Sequence, residues 1–103
     1  MSEVRPPLPE GLVAVVKRDC ATCVTVVPVL EQLAAGPDPL TVYVQDDPAF
    51  FATVEPKDDT DLSVSWHHEV ETVPTLVRVV DGAEQDRTVG WHRAAWEELT
   101  GQQ

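Results

Sequence analysis

Basic residues are scarce in this chain. Its 7 lysines and arginines stand against 18 aspartates and glutamates, which gives a formal net charge of −11. Nucleic acids and anionic membranes are polyanions, and they repel such a surface at long range. We therefore expect neither nucleic acid nor a membrane as a partner.

Long apolar runs are also missing. No stretch approaches the roughly 20 apolar residues of a transmembrane helix, and residues 1–11 lack the apolar core of a signal peptide. The sequence therefore predicts a cytoplasmic protein. With 103 residues and 43% apolar content, the chain accommodates one domain. Proline and glycine near the start predict a flexible N-terminal tail over residues 1–11, followed by a domain over residues 12–103.

Cysteine is scarce as well, since Cys20 and Cys23 are the only two. A pair this close in a reducing compartment is more often catalytic or metal-binding than structural, because the loop it closes is too short to add much stability. At a helix start, the first sulfur lies near unpaired backbone N–H groups, which favours a thiolate. Redox chemistry and soft-metal binding both remain open from this pair alone.

Hydrophobic periodicity predicts a strand–helix–strand unit in the first half of the chain. Leu12–Val16 is a short apolar run, and Leu40–Val44 alternates, so both are typical of strands. Apolar residues spaced three and four apart over Cys23–Ala34 predict the helix between them. Because a crossover helix connects the two strands, we expect them to pair in parallel.

The second half predicts a hairpin and a closing helix. Val73–Val80 is followed by the Asp81-Gly82 turn, and a return strand is predicted near Arg87–Val89. The closing helix covers Arg93–Leu99. These elements together predict an α/β fold in which helices flank a mixed sheet.

The segment between the second strand and the hairpin predicts short helices and an acidic loop. Asp47–Val54 opens with Asp-Pro, which is typical of a helix start, and Ser63 can cap a second helical piece that contains Trp66. Glu55–Asp61 predicts a solvated loop, because its acids lack the ligand spacing and the central glycine of a calcium loop.

Four landmarks make the chain from Leu12 to Leu99 resemble the thioredoxin superfamily. They are Cys20-Ala21-Thr22-Cys23, Pro28 in the following helix, Val73-Pro74-Thr75-Leu76, and Asp81-Gly82 with Val89-Gly90. The resemblance implies a thioredoxin-like α/β fold with a mixed four-stranded sheet of order 2-1-3-4, flanked by helices. It also implies a cis bond between Val73 and Pro74. The Thr72-Val73-Pro74 sequence is similar to the glutaredoxin version of this motif.

The resemblance further implies thiol–disulfide exchange. Cys20 is then the attacking thiol, and Cys23 resolves the mixed disulfide. Implied partners are a disulfide-containing protein or a low-molecular-weight thiol, with a reductase or thiol as electron donor, and no cofactor or metal is predicted. The implied substrate-binding residues are Thr72, Val73, Pro74, Gly90 and Trp91.

The chain departs from the thioredoxin pattern in three places beside an insertion at residues 45–62. Asp19 stands where thioredoxins usually have tryptophan, Ala21-Thr22 replaces Gly-Pro, and Ala14 replaces a buried aspartate. Two other functions remain possible. Residues 16–33 also resemble the helix start of heavy-metal-associated domains, which bind Cu(I), Zn or Hg through paired thiolates. A non-catalytic thioredoxin-like adaptor is the second alternative.

Overall fold

The computed structural model describes residues 9–36, 39–46, 57–60 and 62–101. Two predictions from the sequence fall wholly or mainly outside these residues. They are the N-terminal tail, up to residue 8, and the helix over Asp47–Val54.

The strands of the described residues are β1 (Gly11–Val16), β2 (Leu40–Val44), β3 (Lys57–Asp58), β4 (Thr75–Val80) and β5 (Ala83–Val89). They form one sheet in the order β3-β2-β1-β4-β5. β1 pairs in parallel with β2 and antiparallel with β4, which forms the antiparallel hairpin with β5. Without the two-residue β3, this is the predicted four-stranded mixed sheet of order 2-1-3-4, so that prediction is confirmed.

Three helices pack on this sheet within the described residues: α1 (Ala21–Ala34), α2 (Ser63–His67) and α3 (Arg93–Thr100). Successive side chains of a strand point to opposite faces, so β1 contributes to two separate cores. Leu12, Ala14 and Val16 pack on the face that α1 and α3 cover. Val13 and Val15 pack on the other face, where Val64 of α2 lies. These five residues of β1 are each at most 1% exposed, as expected for a strand buried on both faces.

Residues 57–60 and 62–65 differ from the sequence prediction. β3 pairs in parallel with β2, and the carboxylate of Asp59 is buried rather than solvated, with 1% of the residue exposed. It accepts hydrogen bonds from Val64 N at 2.9 Å, Ser65 N at 3.1 Å and Ser65 Oγ at 2.6 Å. Burying a carboxylate requires such partners, and here they are two unpaired backbone N–H groups at the start of α2 and the Ser65 hydroxyl. The N-cap position is Leu62 rather than the predicted Ser63, and the capping carboxylate comes from Asp59.

Strand directions put the two cysteines and the hairpin turn at opposite ends of the strands. Val16, the last residue of β1, pairs with Val44 at the end of β2, so both strands end beside the loop that leads into α1. Gly11, at the other end of β1, pairs with Val79 near the turn at Asp81-Gly82. Both turn residues have positive φ, at 54° and 77°, as a tight hairpin turn requires. The return strand is longer than predicted and begins at Ala83.

Candidate active site

Cys20 occupies the N-cap position of α1. Its backbone is extended, and its Sγ accepts a hydrogen bond from Cys23 N at 3.3 Å. The first N–H groups of a helix lack partners within the helix, and the aligned peptide dipoles favour negative charge at this end. A sulfur therefore fills the place that a serine or aspartate oxygen usually fills. The residue is half-buried, so Cys20 is more accessible than the buried Cys23.

Cys23 lies one turn further into α1 and is fully buried. The pKa of its thiol is raised from 9.0 to about 12. Burial is the largest cause of this rise, and the neighbouring sulfur of Cys20 contributes to it. A hydrogen bond from the Lys17 backbone acts in the opposite direction. Cys23 is thus a protonated thiol at neutral pH. The two free thiols differ in access and in environment, although they are only two residues apart.

The loop before β4 faces the accessible sulfur. Cys20 Sγ lies 3.9 Å from the carbonyl oxygen of Val73, and the bond between Val73 and Pro74 is cis, the isomer that the resemblance implies. Gly90 N donates a hydrogen bond to Pro74 O at 2.8 Å, and this tie fixes Gly90 beside the same loop. Gly90 has a φ of 81°, which a glycine adopts without strain. The structure therefore brings together four of the predicted site residues, which are Cys20, Val73, Pro74 and Gly90.

Thr72 and Trp91 flank this group in different ways. Thr72 is exposed, and its carbonyl accepts a hydrogen bond from the Thr75 hydroxyl. Trp91 packs edge-on against Trp96, with ring centroids 5.1 Å apart, and lines a cavity of about 400 Å³ between α1 and α3. The Trp96 indole N–H donates to Gly90 O at 2.9 Å. Trp91 is thus connected to the loop through Gly90 and the second tryptophan.

Asp46 belongs to the site and was not identified from the sequence. Its Oδ1 accepts a hydrogen bond from Arg18 N at 2.7 Å, and its Oδ2 accepts one from Asp19 N at 3.0 Å. Both donors lie directly before Cys20. The parallel pairing of β1 and β2 is the signal that could have found it, because an acid just after β2 lies beside the loop after β1.

No group of three or more histidine, cysteine or acidic side chains in the described part of the chain is arranged to hold a metal ion. Within these residues, the soft-metal hypothesis has the two sulfurs as its ligands. Among the described helices, none has the length and apolar character needed to cross a membrane.

Solved structures resemble this chain in fold. No family model and no curated protein matches the sequence. A thioredoxin of Plasmodium falciparum superposes with a TM-score of 0.63 at 16% identity, over 88% of this chain and 82% of that one. Mitochondrial thioredoxin 3 of Saccharomyces cerevisiae gives 0.62 at 24% identity, over 87% and 74%. StoA of Bacillus subtilis gives 0.64 at 13% identity, over 88% and 82%.

The chain therefore has the thioredoxin fold. At these identities the likeness covers the fold, and the chemistry has to be argued from the residues. On this fold, the Cys20–Cys23 pair lies at the start of α1.

Proposed function

We propose that the protein is a dithiol oxidoreductase that reduces or exchanges disulfides in a protein or low-molecular-weight thiol partner. The observation that carries this proposal is the inequality of the two thiols. Cys20 is accessible at the N-cap of α1, whereas Cys23 is buried one turn behind it. A structural disulfide or an incidental pair of cysteines does not require one accessible and one buried thiol. Two-step exchange does, because one thiol attacks the substrate and the other resolves the mixed disulfide.

In the proposed reaction, the thiolate of Cys20 attacks one sulfur of the substrate disulfide. A mixed disulfide forms, and the other substrate sulfur leaves as a thiolate and takes up a proton. Cys23 then loses its proton and attacks Cys20 Sγ, which releases the second substrate thiol and leaves a Cys20–Cys23 disulfide. The substrate gains two electrons and two protons, and a thiol or reductase donor returns both to the protein.

The proposed substrate site is the loop beside Cys20. The Val73 carbonyl lies 3.9 Å from the attacking sulfur, so it can accept a hydrogen bond from the backbone of an extended substrate bound there. Thr72 is exposed and continues this surface, whereas Pro74 is buried and is held through the hydrogen bond from Gly90 N to its carbonyl oxygen. Trp91 is proposed as the side wall towards α1 and α3. A reducing compartment such as the cytoplasm would supply the donor, and a location there stays a prediction.

The test uses single-cysteine variants and a small neutral disulfide, bis(2-hydroxyethyl) disulfide. Cys23→Ser is expected to accumulate a mixed disulfide on Cys20, detectable as a mass increase in the peptide that contains it. Cys20→Ser is the matched control, and it is expected to trap little because the remaining thiol is buried.

Two results would contradict the proposal. Adducts that form mainly on Cys23 would reverse the roles of the two thiols. A parent protein that forms no Cys20–Cys23 disulfide with this substrate, and whose dithiol takes up one equivalent of Zn²⁺ or Cu(I) that a chelator removes, would favour the metal-binding alternative. A non-catalytic adaptor is expected neither to form this disulfide nor to bind the metal.

A further inference from the structure

The carboxylate of Asp46 is fixed beside the loop that carries Cys20. Its two oxygens accept hydrogen bonds from the backbone N–H groups of Arg18, at 2.7 Å, and Asp19, at 3.0 Å. The carboxylate reaches 28 and 27 residues back along the chain to these donors. The sequence resemblance assigned no role to this residue.

The backbone around Asp46 is itself held in place. Gln45 N donates to Val16 O at 3.0 Å, which extends the pairing of β1 and β2 by one residue beyond the strands. The Gln45 side chain donates to Ser65 Oγ at 2.8 Å, and this contact ties the same turn to α2. The residue next to Asp46 is therefore tied both to β1 and to α2.

The loop needs such support. Only Lys17, Arg18 and Asp19 separate the end of β1 from Cys20, and two of their three N–H groups bond to Asp46. The following residue must keep an extended backbone for its sulfur to cap α1 and lie against Val73 O. Fixing the peptide groups of the two preceding residues restricts the position that the backbone of Cys20 can take.

We propose that Asp46 is a positioning residue of the dithiol: its carboxylate holds the loop so that Cys20 stays at the N-cap, and its charge sets the balance between dithiol and disulfide. The inference rests on the proposed function. It adds to that function a determinant that lies outside the cysteine motif.

The electrostatic half of the proposal follows from the charges at the site. A carboxylate opposes the formation of a thiolate nearby, and Asp46 is one of the groups that raise the pKa of Cys23. Asp19 has the same sign, while Lys17 and Arg18 have the opposite one. Oxidation to the disulfide removes whatever thiolate the dithiol state contains. Removing the Asp46 charge is therefore expected to stabilise the reduced state and make the couple more oxidising.

The first experiment equilibrates the protein with glutathione. The reaction converts the protein dithiol and oxidised glutathione into the protein disulfide and two molecules of reduced glutathione. We expect Asp46→Asn to shift this equilibrium towards the dithiol by about three- to tenfold, because the charge is exposed and partly screened. At 29.6 mV per tenfold change, this corresponds to roughly 15 to 30 mV in reduction potential.

Asp81→Asn is the matched control. It removes the same charge from an exposed aspartate at the hairpin turn, which lies at the other end of the strands from the cysteines. Asparagine tolerates the positive φ of 54° at this position, so the turn should persist. We expect no shift in the glutathione equilibrium beyond error.

The second experiment separates position from charge. Asp46→Ala removes the acceptor as well as the charge, and we expect about a three- to tenfold slower attack of Cys20 on bis(2-hydroxyethyl) disulfide in addition to the shift in potential. Asp46→Glu keeps the charge and is expected to retain the parent potential. Thermal unfolding of each variant shows whether the fold is intact.

The outcomes separate this proposal from the proposed function. If the parent forms no Cys20–Cys23 disulfide with glutathione, the proposed function fails, and this inference fails with it. If the parent exchanges normally and Asp46→Asn keeps the parent equilibrium, only the role of Asp46 is refuted. Equal shifts in Asp46→Asn and Asp81→Asn would also refute it, since net charge alone would explain them.

Discussion

Ala14 offers a test of how Cys23 loses its proton. The residue is fully buried and belongs to the same core cluster as Cys23, on the face that α1 covers. Thioredoxins, which the sequence resembles, have a buried aspartate at the matching position, whereas this chain has alanine. Alanine cannot accept a proton, so we predict that resolution of the mixed disulfide limits turnover and that the attack by Cys20 is faster.

The magnitude follows from the environment of Cys23. With its pKa at about 12, only about one thiol in 10⁵ is ionised at pH 7. The part of the shift that comes from Cys20 is lost once that sulfur is bound in a mixed disulfide, but burial, the largest cause, remains. Because the pKa is raised, the ionised fraction increases as pH rises. The resolution rate should increase by up to tenfold for each pH unit above pH 7, until the pKa is reached.

Introducing Ala14→Asp should then accelerate resolution. General bases contribute about 10² to 10⁴ in rate, and a carboxylate that is itself buried will act at or below the lower limit, so we expect roughly ten- to a hundredfold. The same substitution should lower the free energy of unfolding by about 2 to 5 kcal/mol, since it buries a polar group and overfills the core.

Stopped-flow measurement of attack and resolution in separate phases checks this prediction. Ala14→Asn is the matched control, because asparagine has the same size and disturbs packing equally but accepts no proton. The reasoning is refuted if resolution in the parent is as fast as attack, which would mean that another group takes the proton. It is also refuted if the asparagine variant accelerates resolution as much as the aspartate variant.

Two further predictions concern stability. The Arg78 guanidinium donates to the carbonyl oxygens of Leu99 at 2.8 Å and Thr100 at 3.0 Å, so Arg78→Met should cost about 1 to 3 kcal/mol in urea unfolding, with Lys restoring part of it. An unchanged unfolding midpoint would show that water replaces the guanidinium at the end of α3. Asp59→Ala removes the acceptor of three hydrogen bonds at the start of α2 and should cost about 2 to 4 kcal/mol. Asp59→Asn keeps one oxygen and should lose less, and equal losses in the two variants would contradict the capping role.

The fold was largely predictable because its main elements have local signals. β1 is a continuous apolar run, α1 has apolar residues spaced three and four apart, and Asp81-Gly82 marks the hairpin. β3 has no such signal, since Lys57 and Asp58 form a strand only because the edge of β2 is available to pair with them. Tertiary contacts decide such elements, and local propensity does not.

The candidate site divides in the same way. The motif located Cys20, Cys23 and the loop at Val73-Pro74, because these positions have a fixed spacing in the chain. Asp46 could not be located by spacing, since its role depends on which peptides the parallel register of β1 and β2 puts within reach. A capping or positioning carboxylate is defined by the donors around it, and those come from distant parts of the sequence.

The position of β5 at the edge of the sheet has a consequence for behaviour in concentrated solution. An uncovered edge offers unpaired N–H and carbonyl groups on which a strand of another molecule can dock. β5 has Glu84, Asp86 and Arg87 along its length, and its first four residues are exposed. The Arg87 side chain reaches sideways to His68 O at 2.6 Å and Glu84 Oε1 at 2.7 Å. A second copy aligned on this strand would have to dehydrate these charges, which protects the protein against edge-to-edge aggregation.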